Sequence, residues 1–167
     1  TARNVGATVD LAHALWAGGM RAIEITLRSP HALDCVNAVR AGLPDMQVAV
    51  GTVTTCRQLQ EVVDAGVSLA LSPGATPSLL AAAAKAPLTF IPGVATASEI
   101  MQAKDYGMTV CKLFPATVLG GVAALKALAG PFPEARFCPT GGLNAANFRQ
   151  FLALANVVCC GGSWMVP

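Results

Sequence analysis

Two rhythms alternate along the chain. Stretches whose apolar residues recur every three to four positions are separated by short, nearly continuous apolar runs, and the joins are short. The first rhythm predicts helices near 8–17, 30–41, 55–65, 76–85, 96–106, 119–129 and 144–154. The second predicts strands near 21–27, 47–51, 67–72, 88–91, 109–113, 135–138 and 157–160. Gly and Pro mark the joins, with "AGG" at 17–19, "SPGATP" at 72–77, "IPG" at 91–93 and "PTGG" at 139–142.

Strand-like runs that are apolar on both faces and return after each helix describe a parallel sheet covered by helices. The class is α/β, and seven such units point to a (β/α)8 TIM barrel. The pattern opens on what reads as helix 1 and stops just after strand 8, so strand 1 and the last helix are expected to be lacking. A complete barrel of this kind needs about 200 residues or more. The expectation is therefore one (β/α) barrel domain over residues 1–167, incomplete at both ends. A doubly wound open sheet is the alternative, but no G-x-G-x-x-G follows an early strand.

Composition narrows the partner. With 54% hydrophobic and 12% charged residues the chain can bury a large core, and its net charge of +2 is scattered without a basic run. Neither nucleic acid nor an anionic membrane surface is indicated. No signal peptide is visible, nor an unbroken apolar stretch of about 18 residues that would span a bilayer. A cytoplasmic protein with a small-molecule partner fits best. Six cysteines without a Cys-x-x-Cys pair read as buried free thiols in a reducing compartment. The neighbours Cys159 and Cys160 point to opposite faces if they lie on a strand. His13 and His31 are too far apart in sequence to indicate a zinc site.

Polar residues inside the strand-like runs carry the candidate chemistry. In "RAIEITLRSP", residues 21–30, the period of two puts Glu24, Thr26 and Arg28 on one face. In "TVCKLFPAT", residues 109–117, Lys112 sits in an apolar run where a charge costs several kcal/mol, roughly, unless it is paired or neutralised. A lysine held in an apolar barrel beside other cationic groups has its ammonium form disfavoured, and the freed amine attacks carbonyls to form a Schiff base. A carboxylate such as Glu24 would shuttle protons for it. The alternative is an ion pair, Glu24–Arg28 or Glu24–Lys112, that only fills the core. Two glycine pairs complete the set. "PTGGLNAAN" after strand 7 and "CGGSW" after strand 8 offer backbone N–H groups at Gly141, Gly142 and Gly162, a hydroxyl at Ser163, and a helix start capped by Asn144. The loops after strands 7 and 8 of such barrels often bind phosphate. Trp16, Phe148 and Phe151 are expected to pack their helices on the barrel.

The segments "EITLRSP", "VGTV", "LSPGAT", "IPGVATASE", "CKLFPA", "GGVAALKALAGPF", "RFCPTGG" and "GGSWMVP", in this order and spacing, resemble the 2-keto-3-deoxy-6-phosphogluconate (KDPG) and 4-hydroxy-2-oxoglutarate (KHG) aldolase family. The resemblance runs across essentially the whole chain. It implies a (β/α)8 barrel, usually a homotrimer, and a class I aldolase of the Entner–Doudoroff pathway that cleaves KDPG to pyruvate and glyceraldehyde 3-phosphate. It implies no metal or organic cofactor. By the same resemblance Lys112 forms the Schiff base, Glu24 is the general acid/base, and Arg28, Thr52 and Thr140 hold the keto-acid end. Gly141, Gly142, Gly162 and Ser163 take the phosphate. The chain departs from the family at Ala49 and Val50, where smaller residues are common, and at Thr117, where glutamate is common; these changes are expected to narrow the pocket or shift aldehyde preference. The aldolase for the C4-epimeric 6-phosphogalactonate, a KHG aldolase, and a non-catalytic phosphosugar-binding barrel are the competing readings.

Overall fold

A computed structural model describes residues 4–166; residues 1–3 and 167, which the expected single domain includes, lie outside the described residues. The chain runs α1 (Val5–Ala17), β1 (Ala22–Thr26), α2 (Ala32–Gly42), β2 (Gln47–Gly51), α3 (Cys56–Asp64), β3 (Leu69–Leu71) and α4 (Pro77–Ala83). It continues through β4 (Thr89–Ile91), β5 (Gly93–Val94), α5 (Ala97–Asp105), β6 (Val110–Leu113), α6 (Gly121–Ala129), β7 (Arg136–Phe137) and α7 (Phe148–Leu152). All strand pairs are parallel and neighbours follow chain order, β1-β2-β3-β4 in one sheet and β5-β6-β7 in the next. Helices alternate with most of these strands, as in the wall of a (β/α) barrel.

Helix starts are set by side chains that replace the missing backbone acceptors. Thr55, Thr76 and Thr96 accept from the third residue onward at the heads of α3, α4 and α5, and at α5 Glu99 answers with a full capping box. Asn4 does the same for α1, which therefore begins three residues before the predicted 8. At the other extreme, α6 starts at Gly121 rather than 119 because Gly120 and Gly121 hold φ of +98° and +57°.

The period of two sorts the strands. Ile25, Val48 and Val50 join Val36, Val39, Leu59 and Val62 in a core between the first sheet and its helices, while Cys111, Leu113 and Phe137 join Leu125 and Phe151 in a second. Alternate residues face inward instead. Glu24 lies beside Ala49 in register, and Lys112 beside Gly93. Val50 is fully buried in the outer core and does not narrow the interior, contrary to the expectation from sequence.

The strand predicted near 88–91 is β4, and a further short strand that was not predicted, β5, follows it across Pro92, which lacks an N–H for the ladder. Across this break the Gly93 N–H donates to the buried Ser72 hydroxyl at 3.1 Å. The strand predicted near 157–160 is reduced to single bridges, Phe137 with Val157 and Thr140 with Gly161. Its partner offers four residues to its five, a bulge that interrupts pairing. The helix predicted over 144–154 shrinks to α7, because the Asn144 side chain accepts from the N–H groups of Ala146 and Asn147 in a turn that delays the helix. Of the cysteines, Cys35, Cys111 and Cys138 are buried, but Cys56 and Cys159 are exposed and Cys160 is half-buried. Burial among the six is thus less general than composition predicted. Phe151 is buried in the second core, Trp16 packs on the first, and Phe148 stacks on Trp164 with ring centroids 5.5 Å apart.

Candidate active site

The two inward-facing charges meet. Lys112 Nζ lies 2.9 Å from Glu24 Oε1 and 3.2 Å from Oε2, joining β6 to β1 across the interior. The lysine side chain is 7% exposed and the glutamate 25%, so the pair is shielded on the amine side and open on the carboxylate side. The Phe114 ring stands 5.8 Å from the ammonium. Of the two ion pairs weighed from sequence, Glu24–Lys112 forms, and the lysine's charged partner is an anion rather than the cationic neighbours expected. The proton that must leave before the amine can attack has an acceptor already in hydrogen-bond contact. Gly51 explains how the carboxylate fits: a Cβ there would stand 1.8 Å from Glu24 Oε1.

Other predicted groups sit just past strand ends, the end of a (β/α) barrel where chemistry is found. Arg28 follows β1 and is exposed, its Nε 3.1 Å from Thr26 Oγ1. Thr52 follows β2 with φ +63°, a left-handed backbone that a threonine adopts only under constraint from its surroundings. Thr140 follows β7 and is locked between strands: its N–H reaches Leu113 O at 3.0 Å, and its Oγ1 would be 2.5 Å from a Cβ on Gly161.

The glycine loop has a defined cause. Ala116 N–H donates to Thr140 O at 2.8 Å and Thr117 N–H to Gly141 O at 3.2 Å, so two successive carbonyls are held by the segment after β6. In a trans peptide the N–H points away from its C=O, which turns the Gly141 and Gly142 N–H groups to the opposite side. Gly141 and Gly142 have φ of +97° and +80°, left-handed values that suit glycine. Among the described residues neither N–H, nor those of Gly162 and Ser163, donates a backbone hydrogen bond. Successive free N–H groups of this kind form an anion-binding concavity. The expected helix N-terminus does not contribute, since α7 begins at Phe148 and has five residues. Gly162 is set by packing: a Cβ there would lie 1.9 Å from the Trp164 ring.

Sequence reasoning missed the thiols. Cys138 precedes the glycine loop on the inner face, and Cys159 reaches it from the bulged neighbour. Interaction with Cys159, with burial second, pushes the Cys138 thiol well up, and the same interaction holds Cys159 below the ordinary thiol range. Lys112 acts electrostatically on Cys138 and Glu24 on Cys159, so both sulfurs border the ion pair. The signal was available, because Cys138 lies two residues before Thr140 on the same face. Cys160 points elsewhere, toward Phe148 O at 3.9 Å, and burial pushes its thiol up to about 11. Among the described residues no cluster of three or more His, Cys, Asp or Glu side chains is arranged to hold a metal, and no helix is long and apolar enough to cross a membrane.

Comparison with known proteins finds relatives along nearly the whole chain. The KDPG and KHG aldolase family model matches residues 1–167. The KHG/KDPG aldolase of Escherichia coli K12 is 50% identical over 159 residues, covering 95% of this chain and 75% of that protein. The crystal structure of KDPG aldolase from Legionella pneumophila, with pyruvate captured at low pH as a covalent carbinolamine intermediate, superposes with a TM-score of 0.95 at 44% identity, covering 99% of this chain and 80% of that one. The Zymomonas mobilis ZM4 2-keto-3-deoxy-6-phosphogluconate aldolase, solved with 3-phosphoglycerate, gives the same TM-score at 37% identity, covering 99% and 79%. With a buried lysine and a carboxylate at its centre and these likenesses over nearly its whole length, the chain belongs to the KDPG and KHG aldolase family.

Proposed function

We propose that the protein is a class I aldolase that cleaves KDPG to pyruvate and glyceraldehyde 3-phosphate, with Lys112 as the Schiff-base nucleophile and Glu24 as its general acid/base. The observation that carries this reading is the contact of 2.9 Å between the buried Lys112 Nζ and the Glu24 carboxylate. Glu24 takes the proton from the ammonium, and the neutral amine adds to the C2 ketone to give a carbinolamine. Glu24 then protonates the departing hydroxyl, water leaves, and an iminium remains. With that iminium as electron sink, Glu24 removes the C4 hydroxyl proton, the C3–C4 bond breaks, and the aldehyde departs. The enamine takes a proton at C3, and water returns to hydrolyse the imine and release pyruvate.

Arg28, Thr52 and Thr140 are proposed to hold the pyruvate half from the strand ends. Gly141, Gly142, Gly162 and Ser163 are proposed to hold the phosphate, which the unengaged N–H groups of the glycine loop support. The name of the E. coli relative favours a second activity, cleavage of KHG, whose pyruvate half is the same. A cytoplasmic homotrimer is the proposed assembly and location.

Borohydride added with pyruvate tests the core of this reading. Reduction of the imine should add the pyruvate-derived mass to the peptide that carries Lys112, and Lys112→Ala should show no adduct. Glu24→Gln should retain some trapping while turnover falls by about 100-fold or more. An adduct that survives in Lys112→Ala overturns the assignment.

A further inference from the structure

Thr117 stands where the chain departs from the family pattern, and the residues around it give it work. Its backbone N–H and its Oγ1 both reach Gly141 O, each at 3.2 Å. Its side chain also fills the space over the next residue: a Cβ on Gly142 would be 1.8 Å from Thr117 Oγ1 and 2.8 Å from Thr117 Cβ. Gly141 O and the Gly142 N–H belong to one planar peptide, and the only cis bond among the described residues is Phe114–Pro115. Two donors on that oxygen therefore fix the direction of the Gly142 N–H.

We propose that Thr117 is a positioning residue that aims the Gly142 N–H at the phosphate of the substrate, a role that rests on the phosphate reading above. Its hydroxyl is the part a glutamate cannot reproduce, because an ionised carboxylate accepts hydrogen bonds and donates none. In this chain the peptide is held by an O–H as well as an N–H, and the loop is correspondingly preorganised for an anion.

Thr117→Val keeps the shape and removes the donor, while Thr117→Ser keeps the donor and removes the methyl. For KDPG, Thr117→Val should raise KM and lower kcat/KM by roughly three- to tenfold, the worth of one neutral hydrogen bond, with little change in kcat. Thr117→Ser should restore wild-type values. KHG, which carries no phosphate, should be cleaved equally by all three proteins. Inorganic phosphate should compete with KDPG in the wild type and more weakly in Thr117→Val. If phosphate competes equally in both, the anion site stands and the positioning role is overturned. If phosphate does not compete with KDPG in the wild type, the phosphate reading falls and the role of Thr117 falls with it. An equal loss on KDPG and KHG in Thr117→Val overturns it too, as the mark of a purely structural residue.

Discussion

The pairing of Cys138 with Cys159 shows how one interaction divides the behaviour of two like side chains. A thiol beside a thiolate favours that neighbour's charged form, so the interaction lowers the pKa of Cys159 and raises that of Cys138. Alkylation follows the thiolate. The pH midpoint for iodoacetamide labelling of Cys159 should therefore lie below the ordinary thiol value, and it should rise in Cys138→Ala, where the neighbouring thiol is gone. Cys160, pushed up to about 11, should stay unlabelled at neutral pH, which separates the adjacent sulfurs by fragment mass. A midpoint that does not move in Cys138→Ala would show that Cys138 does not set the reactivity. At this scale Glu24 and Lys112 were legible in the sequence because a charge in an apolar run is conspicuous. The thiols were not, because cysteine is at home in a core and only its neighbours reveal its role.

Among the elements, strands and helices were legible wherever a cap or a run of branched residues enforced the rhythm, as at Thr96 for α5 and "VAV" for β2. Legibility failed after Pro139. There the Asn144 turn and the bulge opposite 137–140 replace regular hydrogen bonding, and neither leaves a periodic trace. The end of β2 carries a sharper prediction. Gly51 gives up its side chain so that Glu24 can lie across it. In Gly51→Ala the new methyl meets the carboxylate and also Glu24 Cγ, at 2.8 Å, so the outer part of the Glu24 side chain must turn away from Lys112 while the backbone stays in place. Displacement of a catalytic group by about 1 Å can cost about 100-fold in rate, and kcat should fall on that scale. The thermal midpoint should fall as well, because the displaced carboxylate leaves the buried Lys112 ammonium without its partner, but the protein should remain folded at assay temperature. Unaltered turnover in Gly51→Ala would mean that Glu24 does not work from the position described.

On the scale of the whole molecule, the nucleophile and its proton carrier belong to different sheets, Glu24 to the first and Lys112 to the second. Their separation depends on the seam where β4 passes into β5. At Pro92 the backbone ladder has a gap, which the Ser72 hydroxyl closes by accepting from the Gly93 N–H at 3.1 Å, while Ser72 N–H donates to Ile91 O at 3.2 Å. Gly93 is in register with Lys112, and Pro92 O accepts the Lys112 N–H at 2.8 Å, so the seam lies one strand from the nucleophile. No large side chain fits there, because a Cβ on Gly93 would be 2.2 Å from the Pro73 carbonyl carbon. Ser72 is fully buried, and Ser72→Ala leaves the Gly93 N–H without its acceptor. A buried donor left unsatisfied costs about 1–3 kcal/mol, which urea unfolding should report as a lower midpoint at unchanged slope. Activity should decline further than the folded fraction alone accounts for, because the two sheets lose the bond that sets Lys112 against Glu24. The discriminating measurement is the rate of borohydride-trapped imine formation per folded molecule, under conditions where the variant is fully native. A rate equal to wild type would confine Ser72 to stability and show that the remaining ladder holds the two charges in place without it.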